Sequence, residues 1–311
     1  MKRDHSACSG CSLCLLVCPV WHQTRDIRLT PHGRAKALQH GATAEHLAAS
    51  VGACTLCGAC APACPEEIDL VRMILDLRMQ VPLAPERVAE KMKGPGKTDA
   101  RRVVASTVLL PGEVLRGDPA RLARIVALLG KNIAVAEDDG SDIGLAVETG
   151  TPISAQRIEG FISSLRGARR LIVAEGILHR MLRQSLPGVR VGGLGEALSA
   201  LGPVRAGLRA SDLYVIEPRA FHEAHARLIG HYDALRTELG CSMNLDLQRF
   251  AVPTSANSVQ NTLGLSVIDA AAQARWILQG RAIERIVVED VADLAVFARV
   301  SARPVVHLGD V

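Results

Sequence analysis

The pattern of apolar and polar positions changes character twice along the 311-residue chain. Up to residue 85 the apolar residues fall at helical spacing. Short helices are predicted over 34–40 and 44–50. A longer one is predicted over 68–79, with Ile68, Val71, Ile74, Leu75 and Leu77 as its apolar positions. Residues 86–101 hold Gly94, Pro95 and Gly96 among many charges and read as a linker. From residue 102 onward, short apolar runs alternate with helical stretches. Strands are predicted over 103–110, 133–136, 170–174, 212–216, 283–289 and 304–308. Helices are predicted over 119–129, 153–165, 178–186, 220–239, 265–279 and 291–300. Such alternation implies parallel sheets with helices on their faces. The pattern restarts near Asp212, so two α/β halves are expected, 102–209 and 210–311. The expected fold is a helical module of residues 1–85 followed by a duplicated α/β region.

Cysteine usage sharpens the first of these parts. Eight of the nine cysteines stand in two copies of one pattern. The first is Cys8-x2-Cys11-x2-Cys14-x3-Cys18-Pro19, the second Cys54-x2-Cys57-x2-Cys60-x3-Cys64-Pro65. Spacing and trailing proline match the signature of a [4Fe-4S] site. A cubane needs four thiolates at roughly tetrahedral directions. Three closely spaced cysteines wrap one side, and in two-cluster proteins the fourth comes from the opposite run. Two [4Fe-4S] clusters are therefore expected, one on Cys8, Cys11, Cys14 and Cys64, the other on Cys54, Cys57, Cys60 and Cys18. Zinc sites also use paired CxxC elements, but rarely four evenly stepped cysteines and a proline, twice over. Helices that start at cysteines would aim N–H groups at cluster sulfurs and raise the reduction potential.

The segment Met1-Lys2-Arg3-Asp4-His5 has no apolar core of a secretory signal, so a cytoplasmic chain is expected. There, cysteines favour metal or redox roles over disulfides. Cys241 stands alone and reads as a small buried hydrophobe. Apolar residues make up 48% of the chain, ample for a core, and aromatics only 3%. So few aromatics argue against stacking platforms for single-stranded nucleic acid. The formal charge of +4 is mild, and no nucleic-acid partner is expected. No apolar run approaches the roughly 18 to 20 residues that span a bilayer.

Between the runs lies Leu29-Thr30-Pro31-His32-Gly33-Arg34-Ala35-Lys36-Ala37-Leu38. Together with the two cysteine runs, this segment resembles the iron–sulfur subunits of the heterodisulfide reductase, glycolate oxidase and anaerobic glycerol-3-phosphate dehydrogenase class. The resemblance implies a helical ferredoxin fold for the module. It implies oxidoreductase partners, a flavoprotein subunit or a membrane quinone-linked one, the latter placing the chain peripherally at the inner face of the membrane. It also implies two cysteine-rich α/β repeats, each with a Cys-Cys-Gly centre. Here their outline lacks its thiols. Glu113 and Arg219 stand where the repeats would start with cysteine, and Asp138-Asp139-Gly140 and Thr254-Ser255-Ala256 at the centres. The segments 175–178 and 289–292 stand at the late CxxC positions. Cys241 is the only cysteine after Cys64, and an iron–sulfur core needs thiolates, so no further cluster is expected in that region.

Other candidates are weaker. Asp138, Asp139 and Asp142 could hold a hard cation, but adjacent aspartates beside glycine read as a solvated turn. His222 and His225 share a helix face without the H-E-x-x-H spacing, so a surface or interface position is expected. Gly192-Gly193-Leu194-Gly195 lacks the last glycine of the dinucleotide fingerprint. Gly96-Lys97-Thr98 lacks the first glycine of a phosphate loop, Lys91 standing there instead. No serine or histidine has a recognisable nucleophile context. Arg25, Arg28, Arg34 and Lys36 read as a solvated helix face, alternatively as a docking surface for an acidic electron donor. Trp21 and His22 read as packing around a cluster. The function expected is an electron-transfer subunit of a multi-subunit oxidoreductase, passing single electrons through the clusters and not itself catalytic. The alternatives are a reductase with its own substrate or cofactor in the α/β cleft, and a redox-sensing interaction protein.

Overall fold

The structure is a computed structural model that describes residues 3–92, 105–246 and 248–311. Its first module is built from six short helices: α1 Leu13–Leu16, α2 Pro19–Thr24, α3 Pro31–Gln39, α4 Ala48–Ala53, α5 Leu70–Gln80 and α6 Pro85–Lys91. Proline opens α2, α3 and α6, where its fixed φ suits a helix and its missing N–H has no partner to lose. Thr30 caps α3 by accepting the Gly33 N–H, and Asp69 caps α5 by accepting that of Arg72. The α5 residues Leu70, Ile74 and Leu77 pack with Ala35, Val51 and Leu56 into a core that also holds Cys8, Cys14, Cys54, Cys60 and Cys64.

Boundaries shift where side chains intervene. The helix expected over 44–50 starts at Ala48, because residues 44–47 form turns in which His46 Nδ1 takes up the Thr43 N–H. Ile68 lies before α5, in an isolated bridge to Arg3. Part of the expected linker is helical: α6 buries Val88, and the Leu83 N–H donates to Thr149 O at 2.9 Å. The Gly96-Lys97-Thr98 motif lies outside the described residues.

Two four-stranded parallel sheets follow. The first comprises β1 Thr107–Leu110, β2 Ile133–Val135, β3 Arg170–Val173 and β4 Arg190–Gly193, in the order β2-β1-β3-β4. The second comprises β5 Asp212–Val215, β6 Ser242–Met243, β7 Arg285–Val288 and β8 Val305–His307, in the order β6-β5-β7-β8. The two orders are the same topology, so the α/β region is duplicated as the alternation implies. Leu109 lies opposite Ile172 in one sheet and Tyr214 opposite Val287 in the other. Neither β4 nor β6 is among the expected strands. β4 ends in two glycines and β6 has two residues, too little for an apolar run to register.

Among the described residues, twelve α-helices accompany the sheets. In the first half they are α7 Gly112–Arg116, α8 Pro119–Leu129, α9 Ser141–Thr149, α10 Ala155–Leu165, α11 His179–Ser185, α12 Leu194–Ser199 and α13 Gly202–Gly207. In the second they are α14 Pro218–Glu223, α15 His225–Leu239, α16 Val259–Thr262, α17 Ala270–Leu278 and α18 Val291–Val300. The single helix expected over 220–239 is broken at Ala224, whose ψ of 29° leaves the helical range. Val108, Leu109 and Leu110 are all buried, as in a strand covered on both sides. One core draws on both sheets, joining Leu109 and Ile172 to Tyr214, Phe221 and Val287. Each sheet's other face has a core of its own.

The three parts meet at one buried ion pair. Arg219 of α14 donates to both oxygens of Glu148 of α9, at 3.1 and 2.6 Å, and to Thr55 O of the cysteine module at 3.1 Å. Glu148 also accepts the Val259 N–H at 2.8 Å. Removing one charge strands the other in a place without water. Glu148→Gln is expected to destabilise the chain by about 3–5 kcal/mol, as for other broken buried pairs. Urea denaturation measures this, and a loss below about 1 kcal/mol would show the pair to be dispensable.

Candidate iron–sulfur site

The two cysteine runs share one backbone device. In the first, Gly10 and Ser12 have φ of 85° and 64°; in the second, Leu56 and Gly58 have φ of 54° and 79°. These are the same positions, two and four residues past the first cysteine of each run. Left-handed residues at every second position keep turning the chain between the first and third cysteines of each run, curling it around a cavity. A non-glycine residue in this region is strained, so Ser12 and Leu56 need the surrounding structure to hold them.

The runs enclose two cavities. One is lined by Cys8, Cys11, Cys14 and Cys64, with Pro31, His32 and Ala35 behind them. The other is lined by Cys18, Cys54, Cys57 and Cys60, with Arg34 and Ile74. Each thus gathers three cysteines of one run and the last cysteine of the other. Among the described residues no three Cys, His, Asp or Glu side chains converge as a single metal ion requires. A zinc ion draws its thiolates to about 2.3 Å from one centre, whereas a cubane spreads them over four corners.

The donor set fits such a cluster chemically. Burial pushes the Cys14 and Cys57 thiols up to about 12, and raises those of Cys18 and Cys60. A bare thiol there keeps its proton at neutral pH. A bound metal removes that proton, so loading the sites releases protons. At Cys18, the residue preceding α2, the nearby Val20 and Trp21 N–H groups oppose that rise without making a hydrogen bond to the thiol. Cys18 thus stands at a helix start as expected, but the thiol accepts no cap hydrogen bond; Cys54 instead closes α4. Arg34, 2% exposed, lines the second cavity with its Nε buried and unpartnered, a place for an anionic guest. It is not part of a solvated face as the sequence suggested, because Nη1 donates to Leu29 O and Ser50 O at 3.0 and 2.8 Å. Lys36 likewise turns inward, donating to Cys8 O at 2.9 Å. Arg25 and Arg28 are exposed, as a solvated face requires, Arg28 paired with Asp26 and Arg25 lying over the Trp21 ring.

Side chains from distant elements hold the second run. Arg78 of α5, fully buried, donates to Val51 O and Cys54 O and also to Glu148 O. Gln260 of α16 donates to Gly52 O at 3.1 Å and to Cys54 O, and Arg219 to Thr55 O. His222 is buried, not at a surface as expected. Its Nδ1–H donates to Cys57 O at 2.7 Å, and its Nε2 accepts the Ala251 N–H at 3.2 Å. With both nitrogens engaged, and His225 turned to Arg249 O, the pair does not share a metal. Arg78 and Gln260 were missed in the sequence. Arg78 left one signal: it follows Ile74 by four residues, on the apolar face of α5.

Past the sheets, carboxylates occupy the strand ends. In each sheet the chain steps to opposite sides of a central strand, β1 or β5, and such a switch point opens a crevice at the carboxyl ends. Glu175, after β3, accepts the Glu113 N–H at 2.7 Å. Glu289, after β7, accepts the Glu217 N–H at 2.8 Å and the hydroxyls of Tyr214 and Tyr232 at 2.6 and 2.7 Å. Asp138 and Asp139 are buried, not solvated. Arg157 binds Asp138 and Asp142, and Arg116 binds Asp139, so arginines take the place a hard cation would need.

Burial raises Glu175, Glu217 and Glu289 to about 7. The folded chain therefore holds protons that the unfolded chain has released. The stability this contributes is complete below about pH 4.5 and is lost as pH rises through about 7. Glu175→Gln stays neutral throughout, so it is expected to lose less stability than the parent between pH 5 and 8. Denaturation midpoints at the two pH values measure this; an equal loss in both would show Glu175 to be ionised already at pH 5.

Residues 4–68 match the family model described as a 4Fe-4S dicluster domain. No curated protein and no solved structure matches the chain. The match and the clustered cysteines make the chain an iron–sulfur protein, with the electron-transfer role such a domain supports. Among the described residues, no helix is long and apolar enough to cross a membrane.

Proposed function

We propose that the chain relays single electrons through two [4Fe-4S] clusters within a multi-subunit oxidoreductase. Cys8, Cys11, Cys14 and Cys64 ligate one cluster, and Cys54, Cys57, Cys60 and Cys18 the other. The observation that carries this is the crossed lining of the two cavities, each with three thiols of one run and the last of the other. A shared ligand scheme ties both clusters into one rigid unit and keeps them close. The bound cubanes supply one-electron redox chemistry at buried thiolates. The chain supplies exclusion of water, the helix start beside Cys18 and the Arg34 charge, all of which tune the potential. Cys11 is exposed and offers an entry or exit for electrons.

The partners we propose follow the resemblance to heterodisulfide reductase, glycolate oxidase and glycerol-3-phosphate dehydrogenase subunits. A flavoprotein subunit delivers electrons in pairs, which the clusters take one at a time, and a membrane quinone-linked subunit is the acceptor. The α/β halves act as the scaffold. Their strand ends carry carboxylates where the related repeats carry thiols, and those carboxylates are engaged in structural hydrogen bonds.

Anaerobically prepared chain is expected to hold about eight irons with matching sulfide, and reduction to give two interacting EPR signals. Cys64→Ser is expected to disturb the cluster of Cys8, Cys11 and Cys14, and Cys18→Ser the other. A Cys64→Ser chain whose only altered signal is that of the Cys54 cluster would refute the crossed scheme.

A further inference from the structure

We propose that the cleft between the cysteine module and the α/β halves binds a redox-active aromatic anion of the size and kind of flavin mononucleotide. This rests on the electron-transfer reading above. The cleft has a volume of about 1200 Å³, above the roughly 300–1,000 Å³ of ordinary small-molecule sites. One wall is α5, with Val71, Leu75 and Met79; Ile153, Ile158 and Met181 also line the space. These side chains suit an apolar or aromatic body.

Five arginines and three carboxylates, Glu67 among them, line the cleft, and that balance favours an anion. Asp76 is taken up by Arg72, and Glu223 by Arg180. Arg180 is held by Asp69 as well, and its Nη1 is buried without a partner. Arg183, exposed on the same helix, donates to the Glu223 carbonyl at 3.2 Å and, among the described residues, has no carboxylate partner. Two guanidinium groups thus meet beside Glu223 with donors to spare, the geometry that recognises phosphate or carboxylate.

The position makes the guest a redox partner. Cys64 lines both the cleft and the first cysteine cavity, and Leu56 and Gly58 line both the cleft and the second. One layer of residues therefore separates the guest from each cluster. In the forward direction two reduced cubanes each give up one electron and return to their oxidised state. The guest takes the two electrons in turn, with two protons from water at the cleft mouth. The flavoprotein partner reloads the clusters, and the reduced guest passes its two electrons on to the quinone-linked acceptor and its two protons back to water.

Titration of the anaerobic, cluster-loaded chain with flavin mononucleotide, followed by flavin fluorescence, tests this. Saturable binding to one site is expected. Arg183→Ala, at an exposed position that folding tolerates, is expected to weaken it about tenfold, close to 1.4 kcal/mol. Leu75→Trp, which fills the apolar wall, is expected to abolish it. Riboflavin, lacking the phosphate, is expected to bind more weakly, and binding is expected to change the EPR signal of the Cys64 cluster. Absent binding, or binding indifferent to both substitutions, overturns the proposal, as does riboflavin binding equally well. Absent binding in a chain holding about eight irons counts against the cleft and leaves the relay standing. Variant-sensitive binding in a chain without iron does the reverse.

Discussion

The carbonyl groups of residues 51–57 are the constraint on which the molecule depends. A loop that wraps a metal cluster cannot pair its backbone in a helix or sheet, yet its buried carbonyls still need donors. Here the donors are side chains brought from far along the chain: Arg78 from α5, Arg219 and His222 from α14, and Gln260 from α16. The second cysteine run is therefore completed by the α/β halves, while the first is held within its own module by Lys36 and Gln39. The two runs have the same left-handed turns and different dependence on the rest of the protein.

That dependence explains why large charged side chains are buried at the junction. Arg78 and Arg219 are needed as multiple donors, and each brings a charge that burial penalises. Glu148 compensates Arg219 directly, and its backbone carbonyl accepts from Arg78. A buried ion pair is weak evidence for net stability, but here it joins three elements that share no continuous sheet. The strand-end carboxylates use the opposite solution. Glu175 and Glu289 accept from backbone N–H groups and hydroxyls without a charged partner, and burial lifts them to about 7.

Much of this was legible in the chain. Alternating apolar runs announced parallel sheets because strands buried on both faces must be apolar throughout. What failed did so for local reasons. β6 was too short to leave a pattern, and Ala224 broke a helix whose sequence has no glycine or proline at that point. Arg34, His222 and Asp138 were read as exposed, since polarity alone cannot tell a solvated side chain from one whose partners arrive from elsewhere.

By itself the sequence determined that two identical thiol patterns exist, that only one cysteine follows them, and that a twice-repeated α/β pattern fills the remainder. These are properties of composition and spacing, which need no coordinates. The tertiary structure lines each cavity with three cysteines of one run and the last of the other, the crossed set that the spacing already implied. It alone decided that the second run leans on the α/β halves, and that a large cleft lies between them. Cavities and donor–acceptor pairs form where elements pack, and packing brings together residues whose separation along the chain carries no trace of the meeting.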